Sequence, residues 1–387
     1  MFNFLLHQSV RILFGAGTSQ QVGDLVKSLN RKKVFIATDK GIVQAGIAEK
    51  IIGAVKKAGL DYILFDEILP DAPAKFAEEG YKVLKDSGAD AVVALGGGST
   101  IDTTKAINLL RFNDGPLMKY TEGPPAWAMV KAAPGLIAIP TTAGTGSEMS
   151  DGVIIADENH VKRTILSPLV MPEYSILDAE LLLGVPPHIL ASTGLDALSH
   201  NIEGYLVNLS VHLTDVICLA AAASILKWLP IAFNDPKDIE SRSHLMAASA
   251  LGGWMLANVH CNSGHSFAHV LGSLFGMPHG FGCAYAMPPV TEFNAPVVLE
   301  RTKTVGELFG LKFGANESPE EVGKKVKDAM IHFRDVTLKL KKAKEFNYDP
   351  ARFEEASNLV LKEAFQMFNP REMDQKQALA IIKEIYA

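Results

Sequence analysis

DAVVALGGGSTID, residues 90–102, runs from a β-branched apolar stretch through three consecutive glycines into the small and polar residues of a helix start. Its reading decides the fold. Apolar residues that follow one another without alternation belong to a strand covered on both faces, as in a parallel sheet. Glycines directly after such a strand let backbone amides come close to a bound anion, and the helix expected from about Ser99 aims its positive end at the same point. A pyrophosphate would suit that turn. The spacing is not GxGxxG, and no lysine follows as in GxxxxGK[ST], which disfavours a P-loop ATPase.

Similar runs recur on either side: KVFIAT (33–38), YILF (62–65), GLIAIP (135–140) and GVIIAD (152–157), with helix-length segments at 42–58 and 74–86. Strand and helix in alternation predict an α/β domain over residues 1–185 with a Rossmann-like parallel sheet, suited to a dinucleotide. In LFGAGTSQQVG near the start, Gly15 and Gly17 read as turn formers. From Pro186 and Pro187 onward the period becomes helical, at 215–228, 243–258, 319–340 and 351–368, with few strand candidates. A second, all-α domain over 186–387 is therefore expected, with the boundary near 185.

Composition narrows the function classes. Across 387 residues, 48% are hydrophobic and 21% charged, the balance of a soluble chain. The net charge of -6 supplies no basic face for nucleic acid. Three cysteines without CxxC spacing argue against a disulfide framework and a thiolate zinc site, and point to a reducing cytoplasm. The N-terminal MFNFLLHQSVRILFG lacks a basic lead and a cleavage site, so no signal peptide is expected. The apolar run LAAAASIL (219–226) is too short to span a bilayer, so no membrane is expected as a partner.

Several side chains suit the expected ligand. Asp39 closes the run that would be the second strand, where a carboxylate binds ribose hydroxyls and repels a 2′-phosphate, favouring NAD over NADP. IPTTAGTGSE (139–148) sets Thr141, Thr142, Thr145 and Ser147 after another buried strand, where such folds place ligands. In GLDALSHNIEGYL (194–206), Asp196 and His200 are four apart and share a helix face. HCNSGHSFAHVLGSLFGMPHG (260–280) then carries His260, His265, His269 and His279. One carboxylate and three imidazoles would satisfy a divalent metal with positions left for substrate. Four histidines compete for three places, and spacing does not choose among them.

GGGSTID, IPTTAGTGSE, GLDALSHNIE, GHSFAHVLGSLFGMPHG and the late FNPR, in that order, resemble the iron-containing (group III) alcohol dehydrogenases over essentially the whole chain. The resemblance implies Asp196, His200, His265 and His279 as metal ligands, with His269 as the catalytic residue beside the metal near the nicotinamide. His260 matches no functional position. For the dinucleotide it implies Asp39, Gly96, Gly97, Gly98, Ser99, Asp102, Thr141, Thr142, Gly144, Thr145 and Lys162. Two departures stand out. Asp71 is also implied for the dinucleotide, but here LPDAP puts an aspartate, which can accept but not donate, where relatives carry asparagine; and SerPheAla replaces GlyMetAla between the paired histidines. The implied activity is NAD-linked hydride transfer between a small primary alcohol or diol and the nicotinamide, or an aldehyde in reverse. The implied metal is Fe(II), with Zn(II) admitted by the same ligands, and the implied assembly is a homo-oligomer, a dimer or larger. Glycerol dehydrogenases and dehydroquinate-synthase-like lyases share the fold. A lyase needs basic residues around a substrate phosphate, in which the candidate loops are poor. A non-enzymatic metal or nucleotide module would make the two half-sites a coincidence.

Overall fold

The glycine turn sits at the end of a fully buried strand of a six-stranded sheet. In the computed structural model, which describes residues 5–387, the strands are β1 (Arg11–Phe14), β2 (Lys33–Ala37), β3 (Asp61–Phe65), β4 (Ala91–Gly96), β5 (Leu136–Pro140), β6 (Gly152–Ala156), β7 (Lys162–Leu166) and β8 (Tyr174–Leu177). MFNF, which opens the N-terminal run weighed as a signal peptide, lies outside the described residues. The sheet order is β1-β8-β5-β4-β2-β3, with every pair parallel. All six residues of β4 are buried, because both faces are covered.

Side-chain alternation splits the two cores. Phe35, Val92, Ala94 and Ala138 face one way, toward Ala77 and Leu84 of α4 (Ala74–Ser87) and Ile101 and Ile107 of α5 (Gly98–Leu110). Val34, Ile36, Val93, Leu95, Ile137 and Ile139 face the other, toward Val22 and Val26 of α1 (Val22–Ser28) and Ile51, Ile52 and Val55 of α3 (Ile47–Lys57). The helix expected over 42–58 is broken at Ala45–Gly46, so that α2 (Lys40–Gln44) precedes α3. A further short helix, α6 (Pro124–Trp127), follows α5. From β2 the chain steps outward to β3, then crosses back to place β4 on the other side of β2. This reversal is the switch point where open α/β sheets bind ligands, and both Asp39 and the glycine turn lie there.

GVIIAD departs from expectation. It forms β6, which pairs antiparallel with β7 in a separate hairpin, with Val153 and Ile155 inward, and takes no part in the parallel sheet. The short edge strand β1 and its neighbour β8 were not foreseen.

The second unit is helical: α7 (Pro187–Leu206), α8 (His212–Asn234), then, beyond an excursion, α10 (Ser263–Phe275), α11 (His279–Asn294), α12 (Leu299–Leu308), α13 (Pro319–His332), α14 (Phe353–Val360) and α15 (Gln375–Ile385). Pro187 occupies the first position of α7, where its missing N–H costs nothing. The segment expected as one helix to 340 ends at His332 and widens into a π-turn at Phe333–Thr337. Likewise 351–368 divides into α14 and a 3₁₀ turn at Ala364–Phe368. α8 corrects the reading of LAAAASIL as too short. Its 23 residues, with mean hydropathy 2.0 over 18 of them, meet the length and composition of a spanning helix, because the helix runs on past the uninterrupted apolar stretch. Cys218, Ala221, Ala222, Ile225 and Leu229 on α8 are nonetheless buried within the protein.

The excursion is α9 (Ile239–Leu256), which belongs to the first unit. The compact units are Met1–Val185 with Lys237–Ala257, and Pro186–Pro236 with Asn258–Ala387. This differs from an unbroken second domain over 186–387, because helical period does not reveal which core a helix faces. Two contacts draw α9 back. Arg242, wholly buried, donates to the carbonyl of Leu182 at 3.3 Å. Gly253 meets Gly146 so closely that a Cβ on Gly253 would stand 2.0 Å from the Gly146 carbonyl oxygen.

Candidate active site

α7 carries Asp196, His200 and Glu203 at helical spacing on one face, and the helix is buried almost throughout from Leu190 onward. α10, capped by the Asn262 side chain accepting from Gly264 N, presents His265 and His269 one turn apart. α11 starts at His279, directly after Pro278. These three helices bring together ligand atoms of Asp196, His200, His265 and His279 that all lie within 4.8 Å of one another. Asp196 Oδ1 stands 3.6 Å from His200 Nε2, 3.8 Å from His265 Nε2 and 3.5 Å from His279 Nε2.

These separations fit a cation. They exceed hydrogen-bond length, and Asp196 Oδ1 is buried with no hydrogen-bond partner. Four donors at ~2.1 Å around one tetrahedral ion would stand about 3.4 Å apart. Burial raises the Asp196 carboxyl against the favourable charge of His200, so bringing a positive ion here relieves a desolvated anion. Burial also holds His265 down to about 3, which keeps the ring neutral and its lone pair available. The Asp196, His200 and His265 side chains are at most 3% exposed, whereas that of His279 is 35% exposed, so the cage opens on the His279 side.

His269 lies beside the cage, its ring centroid 5.5 Å from those of His279 and Phe365. Its Nδ1 is 3.1 Å from Glu363 Oε2. His260 is set apart, with positive φ and its ring stacked 4.4 Å from Phe368. Three participants were not singled out in the sequence. Glu203 was legible as the next step after Asp196 and His200 on the same face. Cys283, one turn into α11, puts Sγ 3.5 Å from His279 Nε2 and 3.7 Å from His265 Nε2. Burial and the Asp196 carboxyl keep it a thiol. Glu363 arrives from a segment about 94 residues beyond His269, and no local signal marks it.

In the first unit, Gly97 caps α5. A Cβ on Gly96 would come within 2.6 Å of the Thr100 side chain, and one on Gly98 within 2.5 Å of that of Thr145, so this turn admits only glycine. Thr141 N donates to Gly96 O at 3.0 Å, tying the TTAGT loop to the turn. Asp39 caps α2 through Ile42 N at 3.1 Å and accepts from Thr100 Oγ1 at 3.2 Å. Asp71 and Ala72 both have positive φ, 66° and 51°, a strained pair for residues other than glycine. Two contacts hold it: Asp71 N donates to Ser99 Oγ at 3.1 Å, and Lys162 Nζ donates to both the carbonyl and the carboxylate of Asp71 at 2.9 Å. The aspartate that replaces the family asparagine is thus answered by Lys162. Asp102 is buried, with Oδ1 accepting from Ser147 Oγ, Oδ2 from Ile154 N at 3.0 Å, and Lys105 Nζ 3.8 Å away. Its carboxylate fastens the loop after β5 to α5, and faces protein groups on both oxygens.

A carboxylate with three imidazoles suits a divalent cation that acts on oxygen, and the switch point of the sheet suits a dinucleotide. A chain built with both is a metal-dependent, dinucleotide-linked oxidoreductase. Residues 9–179 match the family model for iron-containing alcohol dehydrogenase, and residues 190–386 match that for the Fe-containing alcohol dehydrogenase family, C-terminal. The chain belongs to the iron-containing alcohol dehydrogenase family, as its motifs implied, and is an NAD-dependent alcohol dehydrogenase. Alcohol dehydrogenase 4 of Saccharomyces cerevisiae (strain YJM789) is 35% identical over 376 residues, 96% of either chain. The NAD-dependent methanol dehydrogenase of Bacillus methanolicus is 34% identical over 311 residues, 80% of either chain. The solved alcohol dehydrogenase from Oenococcus oeni superposes with a TM-score of 0.92 at 28% identity, covering 100% of both chains.

Proposed function

We propose that this enzyme interconverts a small primary alcohol or diol with its aldehyde, using NAD in preference to NADP. Asp196, His200, His265 and His279 would hold the divalent cation, Fe(II) first and Zn(II) as the alternative the donors admit. The observation that carries the reading is Asp196 Oδ1, buried and unpartnered at 3.5–3.8 Å from three imidazole nitrogens. A bound cation supplies the positive charge that favours loss of a proton from an alcohol hydroxyl, and a bound nicotinamide supplies the hydride acceptor. The protein does the rest. One carboxylate and three neutral imidazoles would leave a bound divalent cation with a net charge of about +1, and the exposed edge of His279 leaves room for a small substrate. Glu363 holds Nδ1 of His269, leaving Nε2 to take the hydroxyl proton, and the 24% exposed Glu363 side chain offers a way on to water.

The amides of Gly96, Gly97 and Gly98 and the start of α5 would bind the pyrophosphate, with Ser99, Thr141, Thr142, Gly144 and Thr145 around them. Asp39 would take the adenosine ribose. The Asp71–Lys162 pair would meet the nicotinamide ribose. The names of the relatives, one of them a methanol dehydrogenase, support a short substrate. Three free, buried cysteines agree with a reducing cytoplasm, the net charge of -6 with the absence of a nucleic-acid partner, and we take the working form to be a homodimer or larger.

The test is NADH formation from a panel of short alcohols and diols by protein as isolated, after chelation, and after return of Fe(II) or Zn(II). Turnover should vanish on chelation and return with the metal. Turnover indifferent to chelation would sink the metal reading, and equal rates with NADP would sink the role given to Asp39.

A further inference from the structure

Every polar atom of the cage needs an account of what aims it, and for His265 the second ring nitrogen supplies one. Its Nδ1 points away from the cage and lies 3.1 Å from Glu203 Oε1. Both residues are buried, at 2% and 1% exposure; the pair is in contact without hydrogen-bond alignment, and neither atom has a hydrogen-bond partner among the described residues, so each is the group available to the other. The other carboxylate oxygen, Oε2, is already committed. It accepts the backbone N–H groups of Asn262 and of His265 itself, each at 3.2 Å. Glu203 therefore grips the start of α10 with one oxygen and faces the imidazole with the other.

Gly264 makes this possible. A Cβ there would stand 2.4 Å from Glu203 Oε1, so any larger residue at 264 displaces the carboxylate. A glycine inside the first turn of a helix otherwise weakens it. The nearby Cys261 completes a buried group with Glu203 and His265.

We propose that Glu203 is the positioning residue of the metal site: its carboxylate holds the His265 proton on Nδ1 and so leaves the Nε2 lone pair facing Asp196, His200 and His279. The inference rests on the reading of that cage as a cation site. It assigns a role beyond the four ligands, since a neutral imidazole carries one N–H and the partner of one nitrogen decides what the other can do.

Chemistry separates this role from a packing role. In Glu203→Gln the two backbone N–H groups still demand an acceptor, so the amide oxygen takes the place of Oε2 and the amide NH2 faces Nδ1. Nδ1 must then accept, the His265 proton moves to Nε2, and the lone pair is withdrawn from the cage. A side chain of the same size and shape thus harms the site, whereas a packing role would leave Gln close to wild type. Gly264→Ala alters no polar group and displaces the same carboxylate.

The experiment measures Zn(II) affinity by competition with a chromogenic chelator, and the ligand-field absorption of the Co(II)-substituted protein, for wild type, E203Q and G264A. Circular dichroism of the metal-free forms checks the fold. E203Q should bind Zn(II) about 10–100-fold more weakly than wild type and shift the Co(II) spectrum, with G264A moving in the same direction. Wild-type affinity and an unchanged Co(II) spectrum in folded E203Q or folded G264A would overturn the assignment while leaving the cage intact. Wild-type protein that takes up neither ion would overturn the cation reading, and this assignment with it.

Discussion

Glu148 shows what a single buried carboxyl does to the pH behaviour of the whole first unit. It follows Ser147 in the loop after β5, is 2% exposed, and is pushed up to about 7 chiefly by burial, with Lys105 opposing and Asp102 adding to the rise. Its unfolded value is near 4.5. Between those two values the folded chain keeps a proton that the unfolded chain has released, so stability falls as pH rises through that window. The slope contributed is at most roughly 1 kcal/mol per pH unit. Glu148→Gln should flatten it, which urea midpoints at pH 5 and pH 7 will read. Equal slopes in the two proteins would show that Glu148 is not the group responsible. A second residue-scale expectation concerns His269. His269→Ala should lower kcat about 100-fold or more with metal content unchanged, as fits a group that handles a proton and does not hold the ion. Loss of metal in that variant would place it among the ligands.

At this scale the sequence was readable where the partners share a helix. Asp196 and His200 announce themselves by a spacing of four, as do His265 and His269. Choosing His265 and His279 over His260 took the family resemblance, since all three are histidines in one short segment. Cys283 and Glu363 were invisible because what matters about them is a distance across helices: 3.5 Å to His279 for the thiol, 3.1 Å to His269 for the carboxylate. The burial of Asp102 was hidden for the same reason, its partners Ser147 and Ile154 lying 45 and 52 residues away.

Among the elements, α9 is held to the first unit through a close approach of two glycines. Gly253 lies against Gly146 with no room for a methyl group, and the clash falls on backbone, which cannot rotate aside. Gly253→Ala should therefore cost about 1–3 kcal/mol or more, even though alanine favours a helix, and urea denaturation will measure it. A variant as stable as wild type would mean that α9 can lift from the loop without loss. Strands β2, β4 and β5 could be read ahead because uninterrupted apolar runs between helix-length segments have few other uses. β1, with four residues at the sheet edge, has too little signal to stand out. GVIIA was read as one more parallel strand because five residues do not distinguish a strand covered on both faces from one that alternates.

For the whole molecule, the two units should answer to different ligands. A cation bound at the cage stabilises the unit that contains Asp196 and His265, and NAD stabilises the unit with the glycine turn. Each at 100 times its dissociation constant adds about 2.7 kcal/mol. Calorimetric scans with Zn(II) alone and with NAD alone should move the transition of the corresponding unit. A cation that leaves every transition in place would contradict the cage.

The return of α9 to the first unit also bears on how the chain is made. The polypeptide passes from one unit to the other at 185/186, at 236/237 and again at 257/258, so neither unit is one continuous length of gene. A ribosome that has released residues 1–185 has delivered the whole parallel sheet, yet Gly146 still lacks the helix that covers it. That helix emerges only after α7 and α8, with Asp196 and His200 already exposed to the cell. The sheet unit must wait for it, and a fragment cut at the boundary that sequence periodicity suggests would leave the loop that carries Thr141 to Ser147 without its backing. Transplanting the metal-binding half onto another nucleotide-binding sheet would require moving two separate segments, 186–236 and 258–387, and bridging the gap that α9 fills here, which makes this chain a poor source of interchangeable parts.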